Sequence, residues 1–198
     1  MATVTALRRA GPGRVALEVD GRPWRTVPDS VVVRCGLHAG LELDRPRLRL
    51  LRAELERAEA LATAGRALAR ASLSRRRVSE RLRRRGTRPA AEREALEALE
   101  TAGVVDDPRV AQARAAALAD RGWGDLAIAA RLEGEGFEEA VARGALATLP
   151  PEPERAAAFA GRLGAPRRKA WNALARRGFS PEVIEDAVGS LDADGPPG

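Results

Sequence analysis

Residues 74–86 read SRRRVSERLRRRG, and the glycine that closes this stretch is the first of three anchors of an internal repeat. The other two anchors are Gly136 and Gly178. Matching apolar residues lie four residues before each anchor and nine, ten and thirteen residues after it: Leu82, Leu132 and Leu174; Ala95, Ala145 and Ala187; Leu96, Leu146 and Val188; Leu99, Leu149 and Leu191. The offsets hold without a gap, which indicates a repeat architecture.

Each copy of the repeat predicts a helix, a tight turn and a second helix. Glycine favours the left-handed conformation that ends many helices, and the apolar residues on either side allow the two helices to pack together. Another helix is predicted before each pair, at about 58–70, 108–121 and 154–163. One such unit buries too little apolar surface to be stable alone. We therefore predict a mostly α-helical protein of tandem three-helix repeats in an elongated, curved array.

Helix starts and linkers divide the predicted array. Ser74 is a predicted N-cap, Asp107-Pro108 reads as N-cap then first helical residue, and Ser180-Pro181 gives a similar start. The predicted repeats are 47–103, 104–149 and 150–192, with a Pro-rich connector at 150–153. The last residues, 193–198, are predicted to be a disordered tail.

A long helix is predicted directly after Pro46, from residue 47 to about residue 70. Apolar residues recur there at intervals of three and four, which predicts one buried helix face. The residues of this stripe are Leu48, Leu51, Leu55, Ala58 and Ala62.

The first 46 residues have a different pattern and predict a small β-rich cap. Val15, Leu17 and Val19 alternate with less apolar residues, and Asp20-Gly21 is a strong hairpin signal. The return strand carries a tryptophan that we expect to cover the cap, and a β-branched run then predicts another short strand: Trp24 and Val27, then Val31, Val32 and Val33.

Composition favours helices and a negatively charged partner. Hydrophobic residues make up 44% of the chain but aromatic residues only 3%, so Leu, Val and Ala fill the core. The formal net charge is +6, and only one of the 34 basic residues is Lys. Codon bias explains the preference for Arg but not its position: residues 66–88 hold ten Arg and one Glu, and 162–177 hold six basic residues and no acid. A polyanion or an acidic protein face is the expected partner.

No catalytic or metal-binding pattern is present. Cys35 is the single cysteine, and His38 lies three residues away without the acid and serine of a triad. The pair Asp106 and Asp107 precedes Pro108 and is better explained as a helix cap than as a metal site. We expect no enzyme activity, no cofactor and no metal. With no signal peptide or apolar stretch of membrane-spanning length, we expect a cytoplasmic monomer with no membrane contact.

The helix 75–85 contains the first candidate binding residues. Val78 and Leu82 define its buried face, so the arginines are expected largely to face water. They form either a simple solvated face or a contact with DNA phosphate or an acidic protein groove, because the Arg guanidinium binds both groups bidentately. The candidates are Arg75, Arg76, Arg77, Arg81, Arg83 and Arg84.

A second basic segment supplies further candidates around Trp171: Arg167, Arg168, Lys169, Arg176 and Arg177. At this position we expect Trp171 to lie in the core. Stacking on a nucleic-acid base is the alternative. Trp123 lies between two glycines and is expected to be a packing residue.

The ordered set of motifs resembles the RecX family over nearly the whole chain. The matching segments are the Arg-rich helix 74–86, the corner Val104-Val105-Asp106-Asp107, the turn Gly122-Trp123-Gly124 leading to Gly136-Phe137, and Arg176-Arg177-Gly178-Phe179-Ser180. Val110-Ala111 departs from the family's aromatic-Ala step, and the middle repeat is acidic at Glu133 and Glu135.

This resemblance implies a protein that binds RecA, or its filament on single-stranded DNA, and modulates RecA's ATPase, strand exchange and coprotease activities in DNA repair and the SOS response. Direct binding to single- or double-stranded DNA is the alternative, as a stand-alone nucleic-acid-binding helical repeat. Reversal of Arg77, Arg81 and Arg84 to Glu is predicted to abolish partner binding and to leave helicity intact.

Overall fold

The computed structural model of the protein describes residues 2–193, with side chains described as far as residue 189. Over this range the chain forms a small antiparallel sheet followed by nine helices, and one more short helix lies within the N-terminal segment. The predicted mostly α-helical repeat fold with an N-terminal β segment is confirmed. None of the described helices is long and apolar enough to cross a membrane.

The N-terminal sheet contains four strands, β1 (Ala2–Arg9), β2 (Arg14–Val19), β3 (Arg22–Pro28) and β4 (Glu42–Leu43), in the order β3-β2-β1-β4. Every neighbouring pair is antiparallel. Asp20 and Gly21 join β2 to β3 with φ values of 50° and 73°, as a type I′ turn requires. Val4, Leu17 and Val27 are buried in the core beneath the sheet.

Two predictions for this segment were wrong. The run Val31 to Val33 lies in helix α1 (Asp29–Arg34) rather than in a strand. Val31 is 1% exposed and packs in the core, whereas Val33 is 79% exposed, so burial of one helix face outweighs the β propensity of valine. Trp24 does not cover the cap, because its side chain is 46% exposed.

Helix α2 (Arg45–Leu68) begins at Asp44, whose carboxylate accepts a 2.8 Å hydrogen bond from the backbone N–H of Arg47. Its predicted stripe is only partly correct. Leu48 and Ala62 are exposed, and the buried positions are Leu51, Leu55, Ala60, Ala64 and Ala67. The buried face shifts along the helix because its first half packs under the sheet and its second half packs in the repeat.

The remaining helices are α3 (Arg75–Arg84), α4 (Pro89–Thr101), α5 (Asp107–Asp120), α6 (Asp125–Gly134), α7 (Glu139–Leu146), α8 (Glu152–Leu163), α9 (Arg167–Arg176) and α10 (Pro181–Ala193). The same packing recurs in three groups of helices. In each group the first helix packs on the third: α2 on α4, α5 on α7 and α8 on α10.

The three anchor glycines end α3, α6 and α9 with the same hydrogen bonds. Gly86, Gly136 and Gly178 have φ values of 74°, 90° and 73°. The residue after each glycine donates its N–H to the carbonyl of the Leu four residues before the glycine, at 3.1, 3.1 and 3.3 Å. The glycine itself donates to the next carbonyl, at 2.9, 2.9 and 3.0 Å. These are three Schellman motifs, and the predicted glycine helix ends are confirmed.

The helix starts follow the predictions with one correction. Ser74 caps α3, since its Oγ accepts from the N–H of Arg77 at 3.3 Å, and Ser180 accepts from Val183 in the same way at 3.4 Å. Helix α5 is capped by Asp106 rather than Asp107, because the Asp106 carboxylate accepts from the N–H of Arg109 at 3.0 Å. The N-cap therefore lies one residue earlier than predicted.

The chain divides into two compact units, one formed by 1–71 and 78–104 and the other by 72–77 and 105–198. Helix α3 contributes its first three residues to the second unit and the rest to the first. The proposed repeat limits, 47–103, 104–149 and 150–192, stay a prediction. Of the predicted tail, Ala193 is the last residue of α10, and 194–198 lie outside the described residues.

Candidate partner-binding surface

Helix α3 presents its candidate arginines around a buried face of Val78 and Leu82, both 0% exposed, as predicted. Ser79 is buried as well, at 7% exposed, which the sequence pattern did not indicate. The six candidates on this helix do not form one set. Arg75, Arg76 and Arg77 belong to the second compact unit, and Arg81, Arg83 and Arg84 belong to the first.

The N-terminal end of α3 is held within the second unit by polar contacts. The backbone N–H of Arg75 donates to Asp107 Oδ1 at 2.8 Å. Arg77 Nη2 donates to the carbonyl oxygen of Gly134, the last residue of α6, at 2.7 Å. A cation at the carboxyl end of a helix also interacts favourably with the helix dipole. Arg77 therefore has a structural contact of its own and is not simply a solvated residue.

Arg83 is also engaged within the chain. Its Nε lies 3.0 and 3.1 Å from the two carboxylate oxygens of Glu92, and the hydroxyl of Ser79 also donates to Glu92 at 2.5 Å. The hydrogen bond and charge of Glu92 raise the pKa of Arg83 above its ordinary value. The Arg83 side chain is still 70% exposed, so its outer face is open to solvent.

Arg81 and Arg84 complete the α3 candidates. Both are exposed, and neither has a hydrogen-bond or ion-pair partner within the described part of the chain. Their guanidinium groups are thus available to carboxylates or phosphates of another molecule.

The candidates on and just after α9 also include residues with internal contacts and residues without them. Arg168, Lys169 and Arg176 are exposed and without a polar partner among the residues described. Arg167 is exposed at the start of the helix. Trp171 is half-buried against the core of the last three helices, which agrees with the expected packing role.

Arg177 is part of an aromatic cluster, a role that the sequence pattern did not indicate. Its guanidinium carbon lies 5.2 Å from the ring centroid of Trp123 and 5.0 Å from that of Phe159. It also donates a hydrogen bond to the carbonyl of Arg121 at the end of α5. The other guanidinium on Trp123 is Arg131, 4.1 Å from the centroid. Trp123 is the expected packing residue, with two cations stacked on it.

The same kind of junction occurs twice among the helices that end at anchor glycines. In each case the start of one such helix contacts the glycine turn that ends the next such helix. Ser74 Oγ donates to the carbonyl of Glu135 at 2.7 Å, beside the Gly136 turn. The equivalent start of α6 lies on the Gly178 turn, where the N–H of Gly124 donates to the carbonyl of Arg177 at 2.9 Å. Ser74 and Gly124 each lie twelve residues before an anchor glycine, so extending the repeat alignment upstream was the signal that could have found this junction.

The described residues contain no group of three potential metal ligands. Cys35 is a free thiol. Its pKa is raised mainly by burial and, to a smaller extent, by the nearby negative charge of Glu54. His38 is exposed, with its Nδ1 3.0 Å from the carbonyl of Ala39.

Comparison with known proteins identifies solved structures that superpose on this chain. No protein-family model and no curated protein sequence matches the chain. A crystal structure of the regulatory protein RecX superposes with a TM-score of 0.78 and 22% identity, covering 93% of this chain and 98% of that one. RecX from Lactobacillus salivarius superposes with a TM-score of 0.64 and 19% identity, covering 70% of this chain and 97% of that one. The chain therefore has the fold of RecX.

Proposed function

We propose that this protein is a non-enzymatic regulator that binds RecA, or the RecA filament on single-stranded DNA. Through this binding it inhibits RecA's ATPase, strand exchange and coprotease activities in recombinational repair and the SOS response. The observation that carries the proposal is the superposition on the regulatory protein RecX over 93% of the chain. We also propose that the protein acts as a cytoplasmic monomer and needs no cofactor.

The distribution of unpaired charge supports a binding role. Arg81 and Arg84 on α3, and Arg168, Lys169 and Arg176 on α9, are exposed without a polar partner in the described range. A side chain that is not needed for an internal contact and carries a positive charge favours association with a negatively charged surface. These five residues are the candidates that we assign to partner binding.

The candidates with internal contacts have a second role in the fold. Arg77 and Arg177 each donate to a carbonyl at the end of another helix, and Arg83 neutralises Glu92. If their replacement weakened binding, the result would not distinguish a perturbed fold from the loss of a contact with the partner. They remain candidates, but they are poor residues for the first test.

The test is the DNA-dependent ATPase of RecA with added purified protein. We expect inhibition at stoichiometric amounts, and we expect the variant R81E/R84E to lose it. The matched control is R9E/R49E, which reverses two exposed arginines that have no partner among the described residues. Unchanged ATPase and strand exchange at stoichiometric amounts of the unmodified protein would refute the proposal.

The second candidate function is a stand-alone nucleic-acid-binding protein, favoured by the basic surfaces of α3 and α9. Titration with single- and double-stranded DNA in the absence of RecA separates the two functions. Tight RecA-independent binding that weakens steeply with salt and is lost in R81E/R84E favours the second, because each phosphate neutralised by these arginines releases counterions. Co-sedimentation with RecA–DNA filaments that is lost in R81E/R84E, while any binding to bare DNA is kept, favours the first.

A further inference from the structure

A basic cleft of about 620 Å³ lies in the first compact unit, between the sheet, α2 and the turn that follows α3. Five arginines from different parts of this unit line it: Arg14, Arg25, Arg66, Arg85 and Arg88. Among the described residues, its only acidic lining residues are Glu56 and Glu59. The cleft shares no residue with the candidates on α3 and α9.

Both glutamates already hold an arginine. Arg25 Nη2 lies 3.7 Å from Glu59 Oε1, and Arg88 Nη1 lies 3.2 Å from Glu56 Oε1. Three arginines of the cleft are therefore left without a carboxylate partner among the described residues, which gives the cleft an uncompensated positive charge.

The contacts of these three arginines are to neutral groups or absent. Arg14 Nη2 donates to the carbonyl of Thr26 at 3.2 Å, and Arg66 Nη2 donates to the hydroxyl of Thr63 at 3.2 Å. Arg85 is exposed and has no polar partner in the part of the chain described. A guanidinium group with only a neutral acceptor retains N–H donors for a phosphate.

The other polar lining groups suit the same ligand. Thr26, Thr63 and Thr87 place hydroxyl-bearing side chains in the cleft beside the arginines. Hydroxyl groups, like guanidinium groups, donate hydrogen bonds to phosphate oxygens. The apolar side chains of Leu55 and Ala58 also line the cleft.

An exposed tryptophan lies next to the cleft. A neighbouring recess of about 460 Å³ is lined by Trp24 and shares Arg25, Glu56, Glu59 and Arg88 with the cleft. Trp24 is 46% exposed, and the guanidinium carbon of Arg25 is 5.7 Å from its ring centroid. About half of Trp24 is therefore left open to solvent at the edge of the basic cleft, where its ring is available for stacking.

We infer that this cleft binds single-stranded polynucleotide, with phosphates on Arg14, Arg66 and Arg85 and a base stacked on Trp24. Basic grooves flanked by aromatic stacking residues are the common design of single-strand binding. An acidic peptide would satisfy the arginines but would leave the indole without a stacking partner. The inference goes beyond the proposed RecA regulation, since it concerns different residues and needs no RecA.

The test measures the binding of a labelled oligothymidylate to the full chain by fluorescence anisotropy, without RecA. We expect the variant R14Q/R66Q/R85Q to bind at least about ten-fold more weakly than the control R9Q/R49Q/R162Q, which removes equal charge from exposed, unpartnered positions. The slope of log K against log salt should also fall by about 2, since each single-strand phosphate contact contributes about 0.7.

Trp24 provides an independent readout. We expect W24A to weaken binding by roughly ten-fold, as loss of one stacked base does, and W24F to stay within about two-fold of the unmodified chain. Circular dichroism and thermal melting of each variant establish that the fold is retained. A variant that unfolds is replaced by the single substitution R85Q, whose side chain has no internal polar contact in the described residues.

Four results overturn the inference. The first is no oligothymidylate binding by the unmodified chain, and the second is equal loss in the cleft and control variants. The third is competition by polyglutamate as strong as that by oligothymidylate, which assigns the cleft to an acidic peptide. The fourth is a loss of binding in R81E/R84E with none in the cleft variant. Each can occur whether or not the protein inhibits RecA's ATPase, so the two proposals fail separately.

Discussion

Ser79 Oγ donates a 2.5 Å hydrogen bond to the carboxylate of Glu92, and both side chains are buried. In the other two repeats the position of Glu92, six residues after the anchor glycine, is held by Ala142 and Ile184, which are 1% and 2% exposed. The first repeat thus places a charge where the others place apolar groups. A buried carboxylate is tolerated only with hydrogen bonds and a counter-charge, which Ser79 and Arg83 supply.

We expect Ser79→Ala to lower the free energy of unfolding by about 1–3 kcal/mol, because Glu92 then loses a donor while it stays buried. The measurement is urea denaturation followed by circular dichroism. Ser72→Ala, at an exposed serine, is the control and should change stability by less than about 0.5 kcal/mol. In the double variant S79A/E92A the effect of S79A should largely vanish, and additive effects would show that the two side chains are not coupled.

Gly124 and Gly178 form the backbone contact between the start of α6 and the turn after α9. A Cβ on Gly124 would lie 2.4 Å from the carbonyl oxygen of Gly178, a backbone atom that cannot rotate away. We therefore expect Gly124→Ala to cost about 1–3 kcal/mol of stability although its φ of −84° suits alanine.

Gly144→Ala is the matched control for this junction. Gly144 lies in α7, and a Cβ there would meet nothing within 4 Å. Because alanine loses less backbone entropy in a helix, this variant should be more stable by about 0.5–1 kcal/mol. Equal thermal midpoints for the two variants would mean that the junction relaxes without cost.

The elements that were predicted correctly are those with local signals. The anchor glycines, the Asp20-Gly21 turn and the serine cap of α3 follow from the conformational needs of a few adjacent residues. The errors come from tertiary packing: Val33 is exposed on a helix because its neighbour Val31 fills the core, and Trp24 is left outside it. The spacing of apolar residues in the sequence does not indicate which of several apolar side chains is buried by tertiary packing.

The candidate surface was predictable in outline only. Charge density located α3 and α9, but it did not distinguish Arg177, which stacks on Trp123, from Arg176, which has no partner in the described residues. That distinction depends on residues more than 50 positions apart in the chain. The cleft arginines Arg14, Arg66 and Arg85 were missed for the same reason, because only the fold brings them together.

Arg177 should matter more for stability than Arg131, although Arg131 lies closer to the Trp123 ring. Arg177 contacts Trp123, Phe159 and the Arg121 carbonyl, whereas Arg131 stacks only on Trp123 among the aromatic rings described. We expect Arg177→Ala to cost about 1–2 kcal/mol and Arg131→Ala about 0.5–1 kcal/mol.

Guanidinium denaturation, followed by both circular dichroism and tryptophan emission, checks this order. Arg176→Ala is the control, because it removes the same charge from the adjacent residue and should leave the midpoint unchanged within error. If R131A proved the more damaging variant, the ring contact with Trp123 would dominate and the link to α5 would contribute little.

Arg77 and Arg81 lie four residues apart on α3, yet their substitution should have different consequences. Arg77 donates to the Gly134 carbonyl at 2.7 Å, whereas Arg81 has no polar partner in the described residues. We expect Arg77→Ala to lower stability by about 1–2 kcal/mol, since a charge-assisted hydrogen bond at a helix end is lost, and Arg81→Ala to change it by less than about 0.5 kcal/mol. Reversal of Arg77, Arg81 and Arg84 together would then perturb the fold through Arg77 and binding through the other two. Thermal melting of the single variants decides this, and equal melting temperatures for R77A and R81A would return Arg77 to the partner-binding set.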